Sequence, residues 1–188
     1  MTDKRKDFFD ALYAVATVVN ASLDPRKVLN TVVENVVDAM DVKASSIRVL
    51  NRNRTQLLMG AANGLSRGYV HKGPVLVEES GIDRRALAGE PIYLKDAQTD
   101  PDFQYRNWAQ EERIHSVLVV PLKNNEDRVI GVLRAYTDET RGFTLDETRF
   151  LQASANLTAT ALENARLHQA LRSEYDILLE NFYRLDDV

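Results

Sequence analysis

No cysteine occurs in the 188 residues. The chain therefore holds no disulfide framework, thiolate metal site, thiol nucleophile or thioether attachment point for a cofactor. No apolar run approaches the roughly 18 residues that a membrane span needs, and the polar opening Met1–Asp7 leads into an amphipathic pattern rather than a signal-peptide apolar region. A membrane partner is excluded on these grounds, and a soluble, cytoplasmic protein is expected. Positive charge is also short: 24 Lys and Arg stand against 28 Asp and Glu, a formal charge of −4. With the signs interspersed and no dense basic cluster, a nucleic-acid partner is excluded too. Asp96, Asp100, Asp102, Glu111 and Glu112 lie near His115 but follow no metal-ligand or catalytic spacing, so no enzymatic activity is expected. The length suits one domain, 1–188, able to withdraw roughly 70% of its unfolded surface from water without covalent help.

Ser116–Lys123 is too apolar for an open strand, and Arg128–Thr137 reads as its partner after a polar turn at Asn124–Asp127. Pro121 cannot donate to a ladder, so its position must face a gap, an edge or a bulge, and Gly131 marks the close approach of another backbone or a helix. Such a hairpin needs cover on both faces. Phe8, Leu12, Val15 and Val19 predict an amphipathic helix over about 4–20. Asp24-Pro25 starts a second over 25–40, with Val28, Leu29, Val32, Val33, Val36, Val37 and Met40 on one face. Strands follow at 45–51 and 56–62. Residues 63–77 read as a mobile loop carrying Tyr69 and His71, since Gly64, Gly68, Gly73 and Pro74 break any pattern. Ser80 and Asp83 read as the cap of a short helix ending at Gly89, before a short strand over 91–95. Asp96–Ile114 is irregular, with a helix bearing Tyr105 and Trp108.

Thr144-Leu-Asp-Glu147 is a capping box. No proline or glycine occurs from Leu145 to Val188, so the helix begun there can run over 144–184, roughly 60 Å at about 1.5 Å per residue. Leu151, Ala155, Leu162 and Ala165 suit a domain core; Leu171, Tyr175, Leu178, Phe182 and Leu185 form a second seam beyond it. That seam is expected to meet the first helix and the same elements of a second subunit, so Phe8, Leu12, Val15, Leu171, Tyr175, Leu178 and Phe182 are the candidate homodimer contacts. Folding back on the chain's own first helix is the alternative.

The ordered series Ser116–Leu122, Ile130-Gly-Val-Leu133, Phe143 with Asp146-Glu147, and Ala161–Leu167 resembles the signature run of GAF domains. Gly81, Gly89-Glu-Pro91, and Asp96 followed by Asp100-Pro-Asp-Phe103 resemble that family's middle section. The resemblance covers about 20–167, the core of the domain. It implies an α+β fold, related to PAS-type architecture. A central antiparallel sheet of five to six strands would carry helices 25–40 and 144–184 on one face, with loops and short helices enclosing a small-molecule pocket on the other. Relatives of this kind bind cyclic nucleotides, linear tetrapyrroles, haem, amino acids or other small effectors, and some serve only as dimer interfaces.

The missing thiol argues against covalent bilin attachment and against methionine-sulfoxide reduction. Lys123-Asn124-Asn125 and the two-residue gap between Phe143 and Asp146-Glu147 depart from the cyclic-nucleotide pattern. The effector is thus unidentified, and so is any cofactor. Pocket walls are expected from 63–79 and 96–115, where His71, Tyr93, Trp108 and His115 could give aromatic contacts, hydrogen bonds or an axial haem ligand. Because the resemblance puts the first strand beside the last, Arg48 and Arg134 would form a fork for a carboxylate or phosphate if they share the pocket face. The alternative leaves each exposed on its strand, paired with a nearby carboxylate. The expected role is a sensory or regulatory domain that signals through its helices to a separate output protein, unless the chain is a fragment of a longer one; a ligand-free dimerisation scaffold is the rival.

Overall fold

The computed structural model describes the backbone of residues 2–185 and the side chains of residues 7–177. Helix α1 (Thr2–Ala21) is followed by α2 (Pro25–Met40). Asp24 caps α2 by accepting from the Arg26 amide at 2.9 Å, Pro25 takes the first turn, and Asp41 ends it in the left-handed region at φ 52°. The valine-rich stripe from Val28 to Met40 is buried, so packing offsets the helix-averse β-branched content.

The sheet is built from β1 (Ala44–Leu50), β2 (Gln56–Asn63), β3 (Val75–Leu76), β4 (Ile92–Leu94), β5 (Val117–Lys123) and β6 (Val129–Tyr136). All pairings are antiparallel and the order is β3-β2-β1-β6-β5-β4. The β5–β6 hairpin sits inside the sheet as expected. Pro121 lies beyond the short reach of β4, which pairs only with Val117–Val119, and its carbonyl accepts from Gln152 Nε2 at 3.0 Å. Gly131 opposes Val49, and a Cβ there would stand 2.3 Å from the Arg48 carbonyl oxygen, so the approach is backbone to backbone.

Alternation sorts the sheet into two cores. Ile47, Leu118, Val120, Leu122, Leu133 and Ala135 face α1, α2 and α6 (Leu145–Leu185). Ala44, Leu57, Val117, Val119, Val132 and Tyr136 face the other way. Their cover is α3 (Arg67–His71), α4 (Gly81–Leu87), α5 (Arg106–Glu111) and the joining segments.

The stretch 63–77 is thus more regular than its glycines suggest. It holds α3 and β3, because Ser66 caps the Tyr69 amide and the Glu112 carboxylate accepts from both the Ser66 amide and hydroxyl. A five-residue helix is too short to show a period. At the start of α6 the capping box forms as read. The Glu147 amide donates to Thr144 Oγ1 at 3.1 Å, and Glu147 Oε2 accepts from the Thr144 amide at 2.7 Å. Burial works against the Glu147 charge, but Arg141 and these bonds outweigh it and hold the carboxyl below its ordinary range.

Phe8 and Val15 are buried within their own chain, Phe8 stacked on Phe150 with ring centroids 4.7 Å apart, and Leu12 is half-buried. What α1 leaves open is Phe9 and Tyr13, while Leu171 and Tyr175 stand exposed along α6. Leu178 and Phe182 lie outside the described side chains.

Candidate functional site

The register Ser46↔Arg134 and Arg48↔Val132 sets the two arginines diagonally on one face of adjacent strands. A bulge between Ile47 and Arg48 on the β2 side, at Gly60, re-aims the strand at this point. Both side chains are inside: Arg48 is 0% and Arg134 2% exposed. Their company is the second core rather than water, which corrects the alternative of two exposed strand positions.

Arg134 Nη2 donates to Asp83 Oδ1, and Asp83 Oδ2 accepts from the Ser80 hydroxyl at 2.6 Å. Ser80 and Asp83 therefore do not cap α4 with their side chains, as their spacing suggested. They turn the carboxylate inward to meet Arg134. Burial disfavours the Arg134 charge, but Asp83, with Tyr136 and Tyr69, outweighs it and raises its proton affinity.

Arg48 is held differently. Nη1 donates to the Leu57 carbonyl at 3.2 Å, while Nε and Nη2 have no partner among the described residues; the same is true of Arg134 Nε. Burial, then repulsion from Arg134, lowers the Arg48 proton affinity. An unpartnered buried donor costs about 1–3 kcal/mol, so this arrangement opposes folding.

Tyrosines roof the pair. The Tyr136 hydroxyl is 2.8 Å from Ser46 Oγ, and the Tyr69 ring meets the edge of Tyr136 at 6.2 Å. Burial pushes the Tyr69 hydroxyl well above its ordinary range, and it too lacks a partner. Lys72, the last cap of α3, sits with Nζ 3.8 Å over the Tyr69 ring and 4.6 Å over the Tyr105 ring. Two guanidiniums and a buried lysine amine thus surround one paired carboxylate, a composition suited to holding an anion.

The other expected pocket residues are dispersed. His71 is exposed, with Nδ1 2.8 Å from the Arg67 carbonyl. Tyr93 alternates onto the helical face, edge-on to Phe143, its hydroxyl donating to the Arg141 carbonyl at 3.1 Å. Trp108 packs on Gly68 and so ties α5 to α3. His115 turns to Asp96, 3.3 Å away, and Gln98, 3.2 Å away. A common pocket of these four is overturned, because strand alternation and local bonds send them different ways. Sequence reading missed Lys72, Asp83, Tyr136 and Ser46 as site residues. The available signal was a lone arginine among apolar neighbours in Gly131-Val-Leu-Arg-Ala-Tyr136.

A cleft of about 800 Å³ is lined by Phe8, Met40, Lys43, Thr137, Arg141 and Glu147, and its Arg141–Glu147 pair is closed at 3.0 Å. Among the described residues no group of His, Asp and Glu is placed to hold a metal ion.

A curled six-stranded antiparallel sheet with helices behind it and a loop layer over a polar centre defines an α+β domain. The GAF domain profile matches residues 22–163, and the chain belongs to that family. It is 29% identical over 147 residues to a phosphoenolpyruvate-dependent phosphotransferase system protein of Escherichia coli, a match covering 78% of this chain and 19% of that one. The chain spans about a fifth or less of the length of the curated relatives it matches. Among solved structures it resembles the GAF domain of a phosphoenolpyruvate-protein phosphotransferase from Coxiella burnetii. The TM-score is 0.77 at 25% identity, covering 88% of this chain and 98% of the other. The free methionine-R-sulfoxide reductase of Neisseria meningitidis shares the fold at TM-score 0.70 and 19% identity, covering 86% and 91%. Domains of this family occupy sensory and regulatory proteins.

Proposed function

We propose that this GAF domain is a cytoplasmic effector-binding module. It holds a small anionic molecule against Arg48 and Arg134, beneath α3 and α4, and signals through α1 and α6 in a homodimer to an output protein or domain. The domain regulates and does not itself catalyse. One observation carries the reading: Arg48 is fully buried yet leaves two donor atoms without partners. Proteins seldom leave buried donors unmet, and functional sites are where they do. No helix among the described residues is long and apolar enough to cross a membrane, which accords with a cytoplasmic setting.

A thermal-shift panel of inorganic phosphate, sulfate, mono- and dicarboxylates, and neutral sugars tests the ligand class. A rise in melting temperature with anions that saturates and vanishes in Arg48→Met is expected. Equal response in both proteins, or none in either, would remove the idea. A ligand-free scaffold is the second reading, favoured by Tyr69 and Tyr136 filling the space over the arginines. It predicts the flat panel.

For assembly, an apolar groove lies between Phe9, Leu12 and Tyr13 of α1 and Ala153 and Leu157 of α6. Farther along α6 stand the exposed Leu171 and Tyr175, whose side chains would each gain about 1.5–3 kcal/mol from full burial. Light scattering should give twice the 21.3 kDa chain mass, falling to one chain in Leu171→Glu with Tyr175→Glu; a monomeric wild type would contradict it.

A further inference from the structure

Lys72 ends α3 with its amine nitrogen out of solvent and without a hydrogen-bond partner among the described residues. A lysine stem ordinarily carries its head to water. This one turns inward between the faces of Tyr69 and Tyr105. The charged groups facing it are Arg48 on β1, Arg134 on β6, Asp83 on α4 and Glu112 just after α5. Burial first, then the two arginines, bring its pKa down to about 6, with Asp83 and Glu112 opposing. At neutral pH the amine is therefore mostly uncharged.

We infer that Lys72 is the third ligand-holding group of this site, selecting a small dianion over a monoanion and taking up a proton from solvent as the ligand binds. This deepens the effector reading given above and rests on it. The charges decide the selectivity. Among the buried groups Arg48 and Arg134 contribute two positive charges and Asp83 one negative, the Glu112 carboxylate being held apart by the Ser66 amide and hydroxyl, which leaves one positive charge for a ligand to neutralise. A second negative charge needs another cation nearby, and Lys72 becomes one by accepting a proton. The aromatic faces on either side favour the ammonium over the amine. Gly64 at φ 77° and Gly73 at φ 107° flank α3 and let it carry Lys72 towards the arginines. Phosphate-like and dicarboxylate ligands share the required chemistry.

The sign follows from linkage. Ligand charge raises the Lys72 proton affinity, so uptake is greatest between the ligand-free pKa of about 6 and the raised one. It fades below that window, where the amine is already protonated, and above it, where the amine stays neutral in both states; dianion affinity therefore falls as pH rises through the window and is level on either side.

The test is titration calorimetry of the full chain with sulfate and succinate as dianions and nitrate and acetate as monoanions. Each is run in two buffers of different ionisation heat at about pH 7.5, where linkage reports protons taken up. Wild type should take up close to one proton per bound sulfate or succinate and none per monoanion. Which dianion binds separates the phosphate-like source from the dicarboxylate one. Lys72→Met should weaken dianion binding about tenfold, the loss of one charge-assisted hydrogen bond, and leave monoanions unchanged. Lys72→Arg should keep dianion affinity yet show no proton uptake, since a guanidinium is already charged. If wild type binds no anion at all, the effector reading itself fails. If it binds dianions without proton uptake, and Lys72→Met binds them equally, only the role of Lys72 is overturned.

Discussion

Arg134→Met is expected to unfold at far lower urea than the wild type, losing about 3–5 kcal/mol, because Asp83 would stay buried without its counter-charge. Asp83 is 1% exposed and its remaining described bond is to Ser80. Arg48 and Lys72 also feel the Asp83 charge, but the cation bonded to its carboxylate is Arg134. The double variant Arg134→Met, Asp83→Leu should recover most of the loss, since apolar replacement of a whole buried pair is commonly near neutral. Such a cycle separates the pair from its surroundings. A loss under about 1 kcal/mol in the single variant would mean that the pair is effectively solvated, as surface bridges are.

Arg48→Met should behave in the opposite sense. It removes two unpartnered donors and a like charge from beside Arg134, at the expense of one 3.2 Å bond to the Leu57 carbonyl. Methionine follows the same path with an apolar stem, so a gain of about 1–3 kcal/mol in urea is expected, the cost of buried unmet donors being relieved. The anion-dependent rise in melting temperature should disappear in the same protein. More stability together with no ligand response is what a binding residue held at a folding cost produces. A structural arginine would instead lose stability when replaced.

The contrast between these neighbours shows what a sequence makes legible. Helix α2, the β5–β6 hairpin and the capping box at Thr144 rest on contacts within a few residues, so period and cap chemistry reveal them. The β1–β6 pairing that brings Arg48 beside Arg134 joins distant segments, and only the GAF resemblance pointed to it. Nothing local distinguishes Asp83, 51 residues from Arg134, from an ordinary cap partner of Ser80. Nothing in the sequence singles out Lys72, because the five-residue α3 that aims it has no period to read.

The stripe on α1 teaches a related lesson. Phe8 and Val15 have the spacing of a docking seam, and the chain's own Phe150 and core meet them first. Amphipathicity says that a face will be covered and leaves open by what. The residues still uncovered, Phe9 and Tyr13, lie on the same helix beside that stripe.

Nitrogen-15 spectra of the guanidinium Nε–Hε groups, assigned with Arg48→Met, test the central claim most directly while phosphate, sulfate or succinate is added. The Arg48 and Arg134 signals should move saturably with at least one of these anions, while the signal of exposed Arg52 follows only bulk salt. Buried arginine signals that ignore every anion while the surface ones drift with ionic strength would contradict the account.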